Sequence, residues 1–423
     1  MKKTFILFAL LLTSQFLNAQ TTKEELFSHR AYLGSNYCPY PDSLIVLTPA
    51  PKGYEAFYIS HFGRHGSRYM ASNNPFHDVI NAMDKAKKDG KLTPLGKQVL
   101  NCVQKAYKYA SGKGGDLSLL GQHQHQNIAN RMYQNYPVIF QDSNIIDARS
   151  TLVDRAQASM EFACAELQRL NPKLKIIQRT RAEDKYFMSP SNDSIKDKKS
   201  EKKVRQQIEL FMDSLRHVPQ AHLHLFKGST TYKKYFKDYA AFNNNLYNIL
   251  QDTLCLPEFK ADFPKIFTDE ELFDIWESKN MQWAGYLGLI HGTHPDYMKM
   301  VPTVKNIIRE ADKMINSGKS GASLRYGHDS QIYPLSYLMG LSDNPPLPKD
   351  MALEDLYKYT SNSKIIPMAA NIQLVFYRKS GSNDILVKAL LQEKEQHLPV
   401  ATNQWPYYHW QDVKKYWQEK IKR

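Results

Sequence analysis

The segment Tyr58–Met70 reads YISHFGRHGSRYM, where an apolar run of β character, AFYIS (Ala56–Ser60), leads into Arg64-His65-Gly66-Ser67-Arg68. Two guanidiniums beside an imidazole repel cations and raise the cost of protonating the ring, so the arrangement suits an anion. Two further segments repeat the plan of apolar run, polar cluster and helical run. NIIDARST (Asn144–Thr151) carries Arg149-Ser150-Thr151 and leads into LVDRAQASMEFACAELQRL, with Arg155 one helical turn on. ASLRY (Ala322–Tyr326) leads through Gly327-His328-Asp329 into IYPLSYLMGL. Strands alternating with helices predict an α/β fold: a mostly parallel sheet with helices on both faces. In such sheets ligands bind at the carboxyl ends of the strands, where all of these clusters fall. Further strands are expected at KIIQR (Lys175–Arg179), NIQLVFYR (Asn371–Arg378) and DILVKALL (Asp384–Leu391), the last two as an antiparallel hairpin.

Between these segments the character changes. DSIKDKKSEKKVRQQIELFMDSLRH, YKKYFKDYAAFNNNLYNILQ and DEELFDIWESKNMQWAGYL have helical periodicity, and strand patterns are scarce. The expected organisation is an export signal (1–19), a first part of the α/β core (20–182), an inserted α-helical cap (183–289) and a second part of the core (290–423). Lys2 and Lys3, the apolar FILFALLL and Ala19 supply the three regions of a cleavable signal. The apolar run is far short of the roughly 20 residues a spanning helix needs. No cysteine follows it for lipid attachment, so a periplasmic or extracellular protein with no membrane span is expected.

The formal charge of +14 falls to +12 without Lys2 and Lys3, which suits a polyanionic partner. A nucleic-acid role is set aside for want of a recognisable module, and the run KDKKSEKKVR (Lys196–Arg205) reads as a solvated helix face or loop. Cys38, Cys102, Cys164 and Cys255 are far apart with no C-x-x-C pair, which excludes a zinc ribbon. Export permits disulfides among them, with Cys164 in FACAEL expected as a buried thiol.

The clusters fit phosphoryl transfer, in which catalysis is mostly positioning and charge stabilisation. Arg64, Arg68 and Arg155 offer forked donors for phosphate oxygens. Gly66 allows close backbone approach. A neutral His65 can attack phosphorus, and His328 can donate to the same oxygens. Asp329 could protonate the departing alkoxide and then activate water, with no metal or cofactor required. Arg149 is left open between a structural partner and a further anion ligand.

RHGSR with a downstream GHD resembles the histidine phosphatase superfamily, in the branch of histidine acid phosphatases and phytases. YLGSNY, FGRHGSRY, GDLSLLGQHQHQNIANRMYQNYP, RSTLVDRAQASMEF, RYGHDSQIYPLSYLMGL, MAANIQLVFYR and QEKEQHLP are similar, in order, to segments of multiple inositol polyphosphate phosphatases. The resemblance implies an α/β core with a helical cap, His65 as nucleophile, and Arg64, Arg68, Arg155 and His328 as phosphate ligands. The chain departs from that pattern at three places. His328-Asp329-Ser330 stands where His-Ala-Glu is usual, passing the donor role to Asp329 as in His-Asp phytases. Met70 replaces the common proline after the motif. Asn36 replaces the lysine often found after LG-T.

Weaker signals are set aside. GKS (Gly318–Ser320) lacks the P-loop glycine five residues earlier, where Lys313 stands, and a strand follows instead of preceding it. His123 and His125 are two apart on an expected helix and turn away from each other. HLH (His222–His224) and HGTH (His291–His294) are poor metal motifs, though either could line the site. The expected function is an exported, metal-independent phosphomonoesterase acting on inositol polyphosphates such as phytate. A broad acid or sugar-phosphate phosphatase is the enzymatic alternative, and a non-catalytic binder of phosphorylated ligands the alternative of another class.

Overall fold

The structure, a computed structural model, describes residues 21–41, 45–191, 198–215, 220–260, 262–293 and 295–422. The expected export signal lies outside them, as do Lys196 and Asp197 at the start of the basic run; Lys198 opens a helix.

Among the described residues eight strands form one sheet: β1 (Tyr54–Arg64), β2 (Ile145–Ser150), β3 (Lys175–Thr180), β4 (Gly321–Gly327), β5 (Asn371–Lys379), β6 (Ile385–Leu391), and the two-residue β7 (Lys394–Glu395) and β8 (Tyr408–His409). The order is β3-β2-β4-β1-β5-β6-β7, with β8 beside β6. The pairs from β3 through β1 are parallel, and β5 and β6 form the antiparallel hairpin expected from their sequences. This is the mostly parallel α/β architecture anticipated above.

The longer helices among the described residues follow in chain order: α1 (Asn74–Lys88), α2 (Pro94–Ala110), α3 (Leu119–Asn135), α4 (Asp154–Leu170), α5 (Lys198–Leu215), α6 (Tyr239–Thr253), α7 (Asp269–Tyr286), α8 (Val301–Ser317), α9 (Asp329–Met339) and α10 (Trp410–Lys420). On one face, Ile128 and Met132 of α3 and Met160, Ala163 and Leu167 of α4 pack on Ile59, Ile146, Ala148 and Leu324 of the strands. On the other, Val304 and Ile307 of α8, Ile332 and Leu335 of α9 and Trp410 of α10 cover Phe57, Phe62, Leu374 and Phe376. Covered on both sides, β1 is buried from Ala56 to Arg64.

β1 runs four residues beyond the expected end at Ser60. Its polar tail stays in the sheet with buried partners at Ser60 and at the Arg64 backbone. Ser60 Oγ accepts from Arg325 Nη1 at 3.0 Å, and the Arg64 amide donates to Ala370 O at 2.7 Å. Arg325, in the adjacent β4, is itself forked onto Asn306 Oδ1.

From Glu183 to Leu289 the described residues form helices and no strand longer than a single bridge. Their packing divides. Phe242, Leu246 and Ile249 of α6 join Phe76 and Val79 of α1 and Val99 and Val103 of α2 in a cluster of their own. Ile208 of α5 and Met281 and Ala284 of α7 reach the main core instead. α7 starts at a reciprocal cap, in which Thr268 and Glu271 exchange side-chain and backbone bonds. All four cysteines are free thiols, so none of the permitted disulfides forms; Cys164 is fully buried as expected. No helix among the described residues is long and apolar enough to cross a membrane.

Candidate active site

The sheet register sets the three motif strands side by side at their carboxyl ends. Arg64 of β1 lies opposite Gly327 of β4, and Ser150 of β2 opposite Tyr326 of β4. Each loop then locks to its neighbour. The His65 amide donates to Gly327 O at 2.9 Å, and the Thr151 amide to Tyr326 O at 3.0 Å. The Ala369 amide closes the far side by donating to His65 O at 3.0 Å.

His65 is 2% exposed, with Nδ1 2.9 Å from Gly66 O. A carbonyl only accepts, so Nδ1 carries the proton and Nε2 keeps its lone pair. Burial, then the charges of Arg64, Arg68, Arg155 and His328, hold the ring well below its ordinary pKa. His328 stands edge-on to it, ring centres 5.5 Å apart, with Nε2 3.0 Å from Thr151 Oγ1. Burial first, then Arg155, bring His328 down to about 4.

Three arginines surround the imidazole. Arg64 is wholly buried; Nη1 donates to Asn36 O at 2.6 Å and Ile366 O at 2.5 Å, and Nη2 meets Asp329 Oδ2 at 2.9 Å. Arg68 donates from Nη1 to Tyr69 O at 2.9 Å and lies over the Tyr37 ring, 4.9 Å from its centre. The Nε–H groups of Arg64, Arg68 and Arg155 are all buried without an acceptor. Buried donors are normally paired, so three orphans on three converging cations describe an anion site.

Asp329 opens α9. Its Oδ1 accepts from the Ser330 amide at 2.8 Å, and its Oδ2 accepts from Asn36 Nδ2 at 2.9 Å and forms the ion pair with Arg64. Burial alone would raise its pKa, but Arg64, the Asn36 bond and His328 overcome that and leave it lowered.

A family model of the histidine phosphatase superfamily (branch 2) matches residues 62–392, which span every group just described except Asn36 and Tyr37. The chain belongs to this superfamily. Among solved structures, the multiple inositol polyphosphate phosphatase of Bifidobacterium longum, in complex with inositol hexasulfate, is similar with TM-score 0.73 and 17% identity over 90% of this chain and 97% of that one. The phytase of D. castellii follows with TM-score 0.64 and 13% identity, over 92% and 85% of the two chains. The phytase of Citrobacter braakii has TM-score 0.53 and 12% identity, over 86% and 98%. At these identities the likeness is one of fold. No curated protein matches the sequence.

In this histidine phosphatase the close backbone approach at Gly66 is made to a helix. A Cβ there would sit 2.6 Å from Gly121 O and 2.7 Å from Gly121 Cα, so the glycine lets the motif loop press on the backbone of α3. Helix side chains then hold the loop. Ser159 Oγ accepts from the Gly66 amide at 3.1 Å while donating to Arg155 O at 2.8 Å, and Gln124 Oε1 accepts from the Ser67 amide at 2.8 Å. These supports were missed from sequence, where Ser159 and Gln124 look like ordinary helix residues. The spacing RSTLVDRAQAS, which puts Ser159 one turn beyond Arg155, was the available signal.

Arg149 is resolved as a structural partner. Nη1 bonds both Asp184 oxygens at 2.7 Å, and Nε bonds Asp147 at 3.0 Å. The other histidines singled out in the sequence have these surroundings. His123 is exposed and His125 buried against the Tyr326 ring. His222 sits in an aromatic nest with Tyr232 and Tyr239, His224 and His291 are exposed, and His294 is outside the described residues. No group of three potential metal ligands occurs among the described residues.

Proposed function

We propose that this phosphatase is an exported phosphomonoesterase that hydrolyses inositol polyphosphates through a phosphohistidine on His65, with no metal. The observation that carries the reading is the trio of unpartnered arginine Nε–H groups around an imidazole whose Nε2 is free. A phosphoryl group bound there meets donors already in place, the arrangement that stabilises developing charge most effectively.

The chemistry closes as follows. His65 Nε2 attacks phosphorus as the bond to the ester oxygen breaks. The departing oxygen takes its electron pair and the proton of Asp329, leaving an alcohol and a phosphorylated imidazole. Gly66 O steadies the Nδ1–H as that ring gains positive charge. Water then attacks phosphorus, Asp329 takes the water proton, and the N–P electrons return to Nε2. Arg64, Arg68, Arg155 and His328 hold the equatorial oxygens throughout.

The free enzyme holds Asp329 as a carboxylate, so the proton must arrive with the substrate. A dianionic phosphoryl group takes Arg64 as partner, and its charge raises the pKa of the nearby carboxyl. The inositol polyphosphate assignment is supported by the fold shared with the inositol hexasulfate-bound Bifidobacterium enzyme and by the excess of basic residues, which attracts a densely charged substrate. The test is phosphate release from inositol hexakisphosphate beside glycerol phosphate, with chelator present, followed by rapid alkaline quench and mass spectrometry. Release with phosphate on His65 is the expected result. Release from neither substrate, or turnover without phosphate on His65, overturns the assignment.

A further inference from the structure

Two of the sequence departures noted above meet at one hydrogen bond. Asn36 stands where a lysine is often found, and Asp329 takes the role of a glutamate one residue later. Although 293 positions apart, they touch, with Asn36 Nδ2 2.9 Å from Asp329 Oδ2. We propose that Asn36 is a positioning residue matched to Asp329, its side-chain amide serving the donor in both protonation states. This rests on the reading of Asp329 as proton donor.

The backbone around Asn36 is held on two sides. Its carbonyl accepts from Arg64 Nη1 at 2.6 Å, and the preceding Ser35 receives Asn362 Nδ2 on its hydroxyl at 2.7 Å. Ser35 has φ 54° and ψ −136°, a conformation that costs a non-glycine residue energy and persists where the surroundings impose it. The kink falls one residue before the side chain that reaches the donor.

The chemical difference between asparagine and lysine decides the role. A lysine ammonium only donates, so beside Asp329 it would favour the carboxylate and oppose the acid. An asparagine amide offers N–H to the carboxylate and, turned by 180°, C=O to the acid's O–H. The other charged groups around Asp329 are cations or become cations: Arg64 and Arg68 from the β1 loop, Arg155 from α4, and His328 beside it. All of them favour the carboxylate. Asn36 can also accept from the acid, and unlike His328 it does so without titrating itself.

The experiment compares an alkyl phosphate, whose leaving group needs a proton, with an aryl phosphate, whose phenolate does not. Asn36→Leu should lower kcat on the alkyl phosphate about tenfold while leaving the pre-steady-state burst with the aryl phosphate within about twofold. Asn36→Lys should move the alkaline limb of the alkyl profile down by about one pH unit, because an added cation ionises Asp329 earlier. Thermal melts of both variants separate these effects from loss of fold. Equal losses on the two substrates, or an unmoved limb in the lysine variant, overturn the proposal. If wild type releases no phosphate, or Asp329→Asn affects both substrates alike, the donor reading falls and this proposal with it. If Asp329→Asn is selective and the Asn36 variants are not, only this proposal falls.

Discussion

On the proposed mechanism His65 needs no separate base, because its own loop carbonyl fixes the tautomer and burial, then the surrounding cations, keep the ring neutral. His65→Ala should therefore abolish turnover while the fold survives, since the ring packs among charged groups and not in an apolar cluster. Steady-state assay with circular dichroism checks both halves. Arg155→Ala removes one preorganised donor and should cost about 3 kcal/mol of transition-state stabilisation, read as kcat/KM. Near-normal kcat/KM would remove Arg155 from the site. Asp329→Asn should slow alkyl phosphates by about a hundred- to ten-thousand-fold and spare the aryl phosphorylation step. An anion entering among Asp329, His65 and His328 raises the pKa of all three, so phosphate binding should take up protons and weaken as pH rises. Calorimetry in buffers of different ionisation enthalpy measures that uptake. Binding without it would mean the carboxylate and both rings stay as they are in the free enzyme.

The contact between the motif loop and α3 depends on glycine from both partners. A Cβ on Gly121 would come 2.1 Å from Ser67 O and 2.9 Å from the Ser67 nitrogen. Gly121→Ala should force the helix and loop apart, costing about 1–3 kcal/mol of stability, and lower kcat/KM by misplacing His65. A denaturant melt and an assay on the same variant test it; an unchanged melt would mean the loop yields freely. This contact was illegible beforehand because no periodicity links GRHGS to LLGQH. The motif strands, by contrast, were legible, since each is an apolar run that stops at a polar cluster. The end of β1 was misjudged for a related reason. SHFGR looks like a loop until Asn306, Ser60 and Arg325 are seen to satisfy one another inside. Asn36 was visible as an oddity, but nothing nearby in the chain named Asp329 as its partner.

Across the whole molecule, burial of neutral histidines ties stability to pH. His61 and His125 are brought down by burial to about 3, and His328 to about 4. An unfolded histidine titrates near 6.5. The folded values are depressed, so their contribution is full above roughly pH 6.5 and is lost as pH falls toward the folded values. Each histidine removes about 1.4 kcal/mol per pH unit across its window. Tm should fall with increasing steepness between pH 6 and about 4, and added phosphate, which binds only the folded chain, should restore part of it. A flat Tm over that interval would show that the rings protonate inside the fold.

The place of β1 in the sheet also sets when the enzyme can come into being. β1 leaves the ribosome early, yet its neighbours are residues 321–327 on one side and 371–379 on the other. Until most of the chain has been synthesised, its apolar backbone has no ladder to join and must be kept from sticking elsewhere. A product halted before residue 369 would carry the whole RHGSR loop but lack the amide that holds His65 from behind. Chains cut short before β5 should therefore be inactive: on the proposed mechanism the nucleophile is made early and becomes competent only when residues 321–379 have arrived.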